Sequence, residues 1–201
     1  MRSFEIVNDE AYRIISAFCT SVESGLRLAD AVPGLLSERT GLGETLIHYL
    51  AVENQFAAIK ALVEKKGADI NTLNDFGGSP LSDASSLGHT ELVKYLLSKG
   101  AQLQIAGQKE SVLHAAVRSN NPGLVKSILE AGASVNGVED LDETALHVAA
   151  EDDNRVEIVK LLLEAGADTN AKRIFEETPL DVATRSGSEK IITILSDATK
   201  H

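Results

Sequence analysis

Residues 143–170 read ETALHVAAEDDNRVEIVKLLLEAGADTN, two short helices written out in one stretch. Thr144 stands before a short run of small and apolar residues, and its side-chain oxygen suits the free amides at a helix start. A polar turn follows, then a second amphipathic helix in EIVKLLLEAG. Gly166 closes that helix, where a left-handed cap suits a residue without a β-carbon. The same stretch sets His147 four residues ahead of Glu151, on one face of a helix. Such a pair raises the question of catalysis or metal binding.

The rest of the chain answers it. ETLIH at Glu44, GSPLS at Gly78, ESVLH at Glu110 and ETPLD at Glu177 repeat the pattern of ETALH at Glu143. The marker residues Thr45, Ser79, Ser111, Thr144 and Thr178 stand 34, 32, 33 and 34 residues apart. Gly67, Gly100 and Gly132 repeat the closing glycine, and a polar stretch such as ADTNAKRIFE leads to the next marker. A fixed period of this length is the signature of a stacked repeat architecture.

ETALHVAA, VEIVKLLLEAGADTNA and LGHTELVKYLLSKGA resemble the ankyrin-repeat family over residues 42–198. The resemblance implies an all-α ankyrin-repeat solenoid of stacked helix-turn-helix units with protruding hairpin loops. It implies one domain over 1–201, with repeats at 42–77, 78–109, 110–142 and 143–176 and a capping repeat at 177–201. Residues 9–41 read as two short helices and a glycine turn. Counted back from Thr45 they resemble a degenerate N-terminal cap; an unrelated helical hairpin is the alternative. Departures from the pattern are small: Lys66 is extra before Gly67, one residue is extra within 151–156, and loop 104–110 is one residue short.

Within that register the histidines become scaffold. His48, His114 and His147 occupy one motif slot, whose histidine in the family bonds to neighbouring loops; His89 lies in a turn. A helical zinc site needs two histidines on one face and a third ligand, and His147–Glu151 supplies one histidine. No nucleophile elbow or phosphate-cradling glycine loop is present. The reading is no enzyme, no metal and no cofactor.

Composition narrows the partners. The net charge is −11 and aromatics make up 4% of the residues, with no tryptophan. That balance argues against nucleic acid, whose phosphates require clustered Lys and Arg. Residues 135–201 hold 15 acids against 7 basic residues, so the acidity belongs mainly to the C-terminal third. Cys19 is the single cysteine, which leaves no internal disulfide; beside Ile15 and Phe18 it reads as a small buried hydrophobe. The apolar run IISAFCTSV is about half of a membrane span. The expectation is a soluble, cytoplasmic, monomeric protein with no membrane partner.

The family's recognition face uses first helices and hairpin tips. Carried over by register, it selects Asp75 and Phe76, then Asp140, Leu141, Glu143, Glu151 and Asp152, then Ile174, Phe175, Glu177 and Arg185. Residues 139–153 contain seven acids and no Lys or Arg, while Phe76 and Phe175 place aromatics at tips. Apolar anchors ringed by charge are the usual make-up of a contact surface. The expectation is a protein partner with a basic patch, or more narrowly an inhibitor or immunity protein that neutralises a toxin or nuclease.

Overall fold

The computed structural model describes residues 9–32, 34, 36–37, 39 and 42–199. It is all-α: helices come in pairs and no β-strand occurs among the described residues. The pairs are α1 (Asp9–Thr20) with α2 (Val22–Ala31), α3 (Leu46–Val52) with α4 (Phe56–Lys66), and α5 (Pro80–Ser86) with α6 (Thr90–Ser98). They continue with α7 (Val112–Arg118) and α8 (Pro122–Glu130), α9 (Ala145–Ala150) and α10 (Val156–Glu164), and α11 (Pro179–Ser186) and α12 (Glu189–Ala198). The first member of each pair after α2 opens within one or two residues of a marker. In α4, α6, α8 and α10 the second ends near a glycine, and Gly67, Gly100, Gly132 and Gly166 all have positive φ.

The chain divides into two compact units, Met1–Ala84 with Glu91–Gln108 and Ser85–Thr90 with Lys109–His201. In the first unit α1 packs on α3 and α2 on α4. In the second, α7, α9 and α11 pack in series, as do α8, α10 and α12. First helices therefore meet first helices and second helices meet second helices. No helix is long enough to bury its apolar face alone, so stacking supplies the core. Leu113, Leu124, Ile128, Leu146, Ile158 and Leu162 are fully enclosed in the second unit.

The first helix corrects one expectation. Ile14 and Phe18, four residues apart, form its buried stripe, and Cys19 is exposed. The next residue along a helix lies about 100° around the axis, which turns Cys19 out of the stripe that Phe18 occupies. Phe18 in turn lies where a β-carbon on Gly25 would stand, 2.3 Å from its ring, so α1 and α2 close on each other only through glycine.

The irregular spacings have visible outlets. The extra residue near Lys66 lengthens α4 to 11 residues, against 9 in α6, α8 and α10. The extra residue after α9 is taken up by a 3-10 turn at Asp153–Arg155. No helix of the described residues is long and apolar enough to cross a membrane.

Candidate functional site

The markers and motif histidines form the frame beneath the hairpin tips. Thr45 and Thr144 each make a capping box with the histidine three residues on. In the first, His48 Nδ1 accepts from Thr45 N at 3.1 Å; in the second, His147 Nδ1 accepts from Thr144 N at 3.2 Å. The opposite ring nitrogen then carries the proton and reaches the next loop: His48 Nε2 lies 3.3 Å from Gly78 O, and His147 Nε2 lies 3.0 Å from Glu177 O. His114 Nε2 meets Glu143 O at 2.9 Å in the same way. Ser79 and Ser82 build the box from hydroxyls, and Asp181 builds it by accepting from Thr178 N at 2.8 Å. The histidines are scaffold: all three are buried, and His48 and His147 are committed through both ring nitrogens.

Burial pushes the His48, His114 and His147 rings below the ordinary imidazole range, while the hydrogen bonds to the next loop oppose the shift. Glu151, four residues beyond His147, is exposed and makes no contact with the ring among the described residues. Among those residues no group of His, Cys, Asp and Glu has the arrangement to hold a metal ion.

Above this frame stand the tips. The backbone two residues before each marker turns left-handed: Gly43 and Gly77 have φ of 70° and 77°. At the same register Asp142 and Glu176 hold φ of 58° and 59°, and Leu141 beside Asp142 holds 67°. A left-handed conformation costs an L-residue about 1–2 kcal/mol, so these two tips carry strain that glycine would relieve. Loop 104–110 differs, with its left-handed residue at Gly107, which fits its missing residue.

The strain coincides with exposed apolar surface. Leu141 is 60% exposed, Ile174 52% and Phe175 76%. Ile174 N donates to Leu141 O at 2.9 Å, which ties the two tips together. Val138, on the same hairpin as Leu141, is also exposed; it escaped the sequence register because that register treats it as loop. In the first unit Phe76 is 62% exposed, beside an exposed Asp75. The Asn74 side chain organises that tip by accepting from Phe76 N and Gly78 N at 3.0 and 2.9 Å.

The acids divide by what they touch. Arg173 is the central cation: its Nη1 lies 2.6 Å from Glu143 Oε1, and its Nη2 and Nε lie 2.7 and 2.9 Å from Glu177 Oε2. Arg185 reaches the other Glu177 oxygen at 3.4 Å. Glu139 pairs with Arg118 at 2.5 Å. Asp152 caps the 3-10 turn through Asn154 N, and Asp153 accepts from Lys190 N at the start of α12. Asp140, Asp142 and Glu151 remain exposed, with no partner for their carboxylates among the described residues. Arg173 is the residue of this network that the sequence did not single out. It stands five residues before its marker, at the register of Glu139, between two glutamates each one residue before a marker.

This repeated frame with variable tips defines a repeat-built interaction fold. The family model for ankyrin repeats in three copies matches residues 20–107 and 113–201, and the chain belongs to the ankyrin-repeat family. It is similar to a Caenorhabditis elegans homologue of transient receptor potential cation channel subfamily A member 1, 28% identical over 121 residues, 60% of this chain and 10% of that protein. It is 35% identical over 94 residues to the Drosophila melanogaster E3 ubiquitin-protein ligase Ufd4, 47% of this chain and 3% of that protein. The Gallus gallus nuclear factor NF-kappa-B p105 subunit matches over 125 residues at 30% identity, 60% of this chain and 13% of that protein. The chain thus spans a small fraction of the length of each of these relatives.

Proposed function

We propose that the chain is a non-enzymatic protein-binding module whose hairpin tips, with the ends of its first helices, grip a partner carrying a basic patch. The observation that carries this reading is the tip pair Leu141 and Ile174–Phe175: exposed, apolar, strained, and held by a guanidinium network. A tip backbone held in place before binding loses little freedom on association, which favours affinity. Asp140, Asp142, Glu151 and Asp152 add negative charge beside them, which favours a basic surface and speeds its approach at low salt. Arg185 with Glu177 completes the proposed contact set of the second unit, and Phe76 with Asp75 is the proposed contact of the first, taken by itself. We place the protein in the cytoplasm as a monomer.

The net charge of −11 favours one narrower form, an inhibitor or immunity protein that covers a basic toxin or nuclease. Loss of the chain then leaves a toxin-bearing cell unable to survive; survival refutes that form and leaves the general one standing. The general reading is tested by affinity capture from lysate with the wild type, with Leu141→Ser/Phe175→Ser, and with Asp140→Asn/Asp142→Asn/Glu151→Gln. The apolar pair is expected to abolish retention of the specific partner at any salt. The acid triple is expected to slow association mainly at low salt. Undiminished capture by both variants refutes the proposal.

A further inference from the structure

The second motif histidine breaks the pattern of the other two. His114 is fully buried, and its Nδ1 has no hydrogen-bond partner. In the other boxes that nitrogen takes the amide hydrogen of the marker. Here Ser111 N donates instead to Glu139 Oε1, at 2.7 Å, from the following hairpin. The inserted carboxylate leaves His114 Nδ1 facing Glu139 Oε1 at 3.9 Å, with no donor between them.

The charges around this pair do not balance. Glu139 is held by Arg118, and Glu110 reaches the same guanidinium at 3.6 Å. Two carboxylates therefore share one cation. Glu139 is 9% exposed and Glu110 33% by side chain, so solvent compensates them only in part. Glu143, whose backbone oxygen already receives Nε2, brings its carboxylate near the ring as well, but that carboxylate is paired with Arg173. From the helices packed on α7, α8 buries the apolar Leu124, Val125 and Ile128. From α9 comes His147, whose ring is tied to Thr144 and Glu177.

We infer that His114, Glu139, Arg118 and Glu110 form a buried proton-binding site, in which the proton enters on His114 Nδ1 and closes a bridge to Glu139. Proton uptake makes the four-residue cluster neutral and gives the orphan nitrogen an acceptor. The Nε2 bond to Glu143 O persists, because Nε2 donates in both states. The opposite holds at His48 and His147: a proton on Nδ1 there sets two donors face to face and breaks the bond to the threonine amide. Burial pushes the His114 ring down and Glu139 pulls it back; burial likewise holds Glu110 above the ordinary carboxylate range. The raised Glu110 carboxyl agrees with a cluster one proton short, and on the ring the pull of Glu139 works against burial. The junction between α7 and the hairpin 138–144 is thus the place where acid loosens this fold least.

The test is an NMR titration of the intact chain, following the histidine ring and glutamate carboxyl resonances from pH 8 to pH 4. His114 is expected to bind its proton about tenfold more tightly than His147, one pH unit earlier in the titration, with a Nδ1–H resonance that is protected from exchange. Glu139→Gln is expected to remove that lead. If Glu139→Gln fails to fold, Glu110→Gln serves, since it also lowers the negative charge and is expected to weaken proton binding at His114. A His114 ring that titrates with or below His147 overturns the inference. So does a proton that settles on Glu110 while the ring stays neutral.

Discussion

Replacing His147 with alanine tests the frame on which the tips stand. The substitution removes the Nδ1 contacts with Thr144 N at 3.2 Å and Thr144 Oγ1 at 2.8 Å, and the Nε2 bond to Glu177 O at 3.0 Å. Each bond contributes about 1 kcal/mol net. Thr144 is 4% exposed, so its amide is left without water as a substitute and adds a desolvation cost. The imidazole itself leaves a small cavity, which in cores adds to the loss. Together these amount to about 3–4 kcal/mol, a large share of the 5–15 kcal/mol typical of a domain. At a slope of about 2 kcal/mol per molar urea, the unfolding midpoint followed by circular dichroism falls by about 1.5–2 M. Because repeats couple mainly to their neighbours, amide exchange is expected to rise first in α9 and α11. Lys126→Ala, at an exposed site of α8, is the control and shifts stability by less than about 0.5 kcal/mol. A His147→Ala midpoint no lower than that of Lys126→Ala refutes the reasoning.

The pH dependence follows from the lowered rings of His48, His114 and His147. The unfolded chain takes protons near pH 6.5 while the folded rings stay neutral, so stability is full above that value. It falls as pH drops toward the folded values, by up to about 1.4 kcal/mol per pH unit for each histidine; equal urea midpoints at pH 7.5 and 5.5 would falsify this. Asp181 is held low by its bonds from Thr178, so its contribution is lost only in more acid solution, below the ordinary carboxylate range. Glu176→Gly is expected to stabilise by about 0.5–1 kcal/mol, the left-handed penalty less the entropy that glycine gains in the unfolded state. A lowered melting temperature counts against strain at that tip. Gly25→Ala drives a methyl into the Phe18 ring and costs about 1–2 kcal/mol net of alanine's better helix propensity. A more stable variant shows that the α1–α2 contact yields without cost.

The repeat was legible because a local rule recurs. A hydroxyl, a capping partner three residues on and a closing glycine all act within one turn of chain, so Thr144, His147 and Gly166 announce themselves. Exposed tips were legible for the same reason: Phe175 and Leu141 stand where the register leaves no neighbour to cover them. The fate of the acids was not. Glu143 is neutralised by Arg173, 30 residues away, and Glu139 by Arg118, 21 residues away. Only the stack decides which side chains meet across that distance. Asp153 likewise looked like surface charge until α12 presented its free amides. Cys19 was misplaced by a single residue of helical phase, a small error in sequence and a large one in exposure.

The bridge from each motif histidine ends on a main-chain oxygen, that of Gly78, Glu143 or Glu177. A carbonyl is the same acceptor whichever residue owns it. Cohesion between these successive repeats is therefore blind to the side chain at that position, and Gly78 serves where glutamates serve elsewhere. Holding and recognising are assigned to different atoms of the same residue. The side chains that meet a partner are free to drift, or to be redesigned, while the joints beneath them keep the same chemistry.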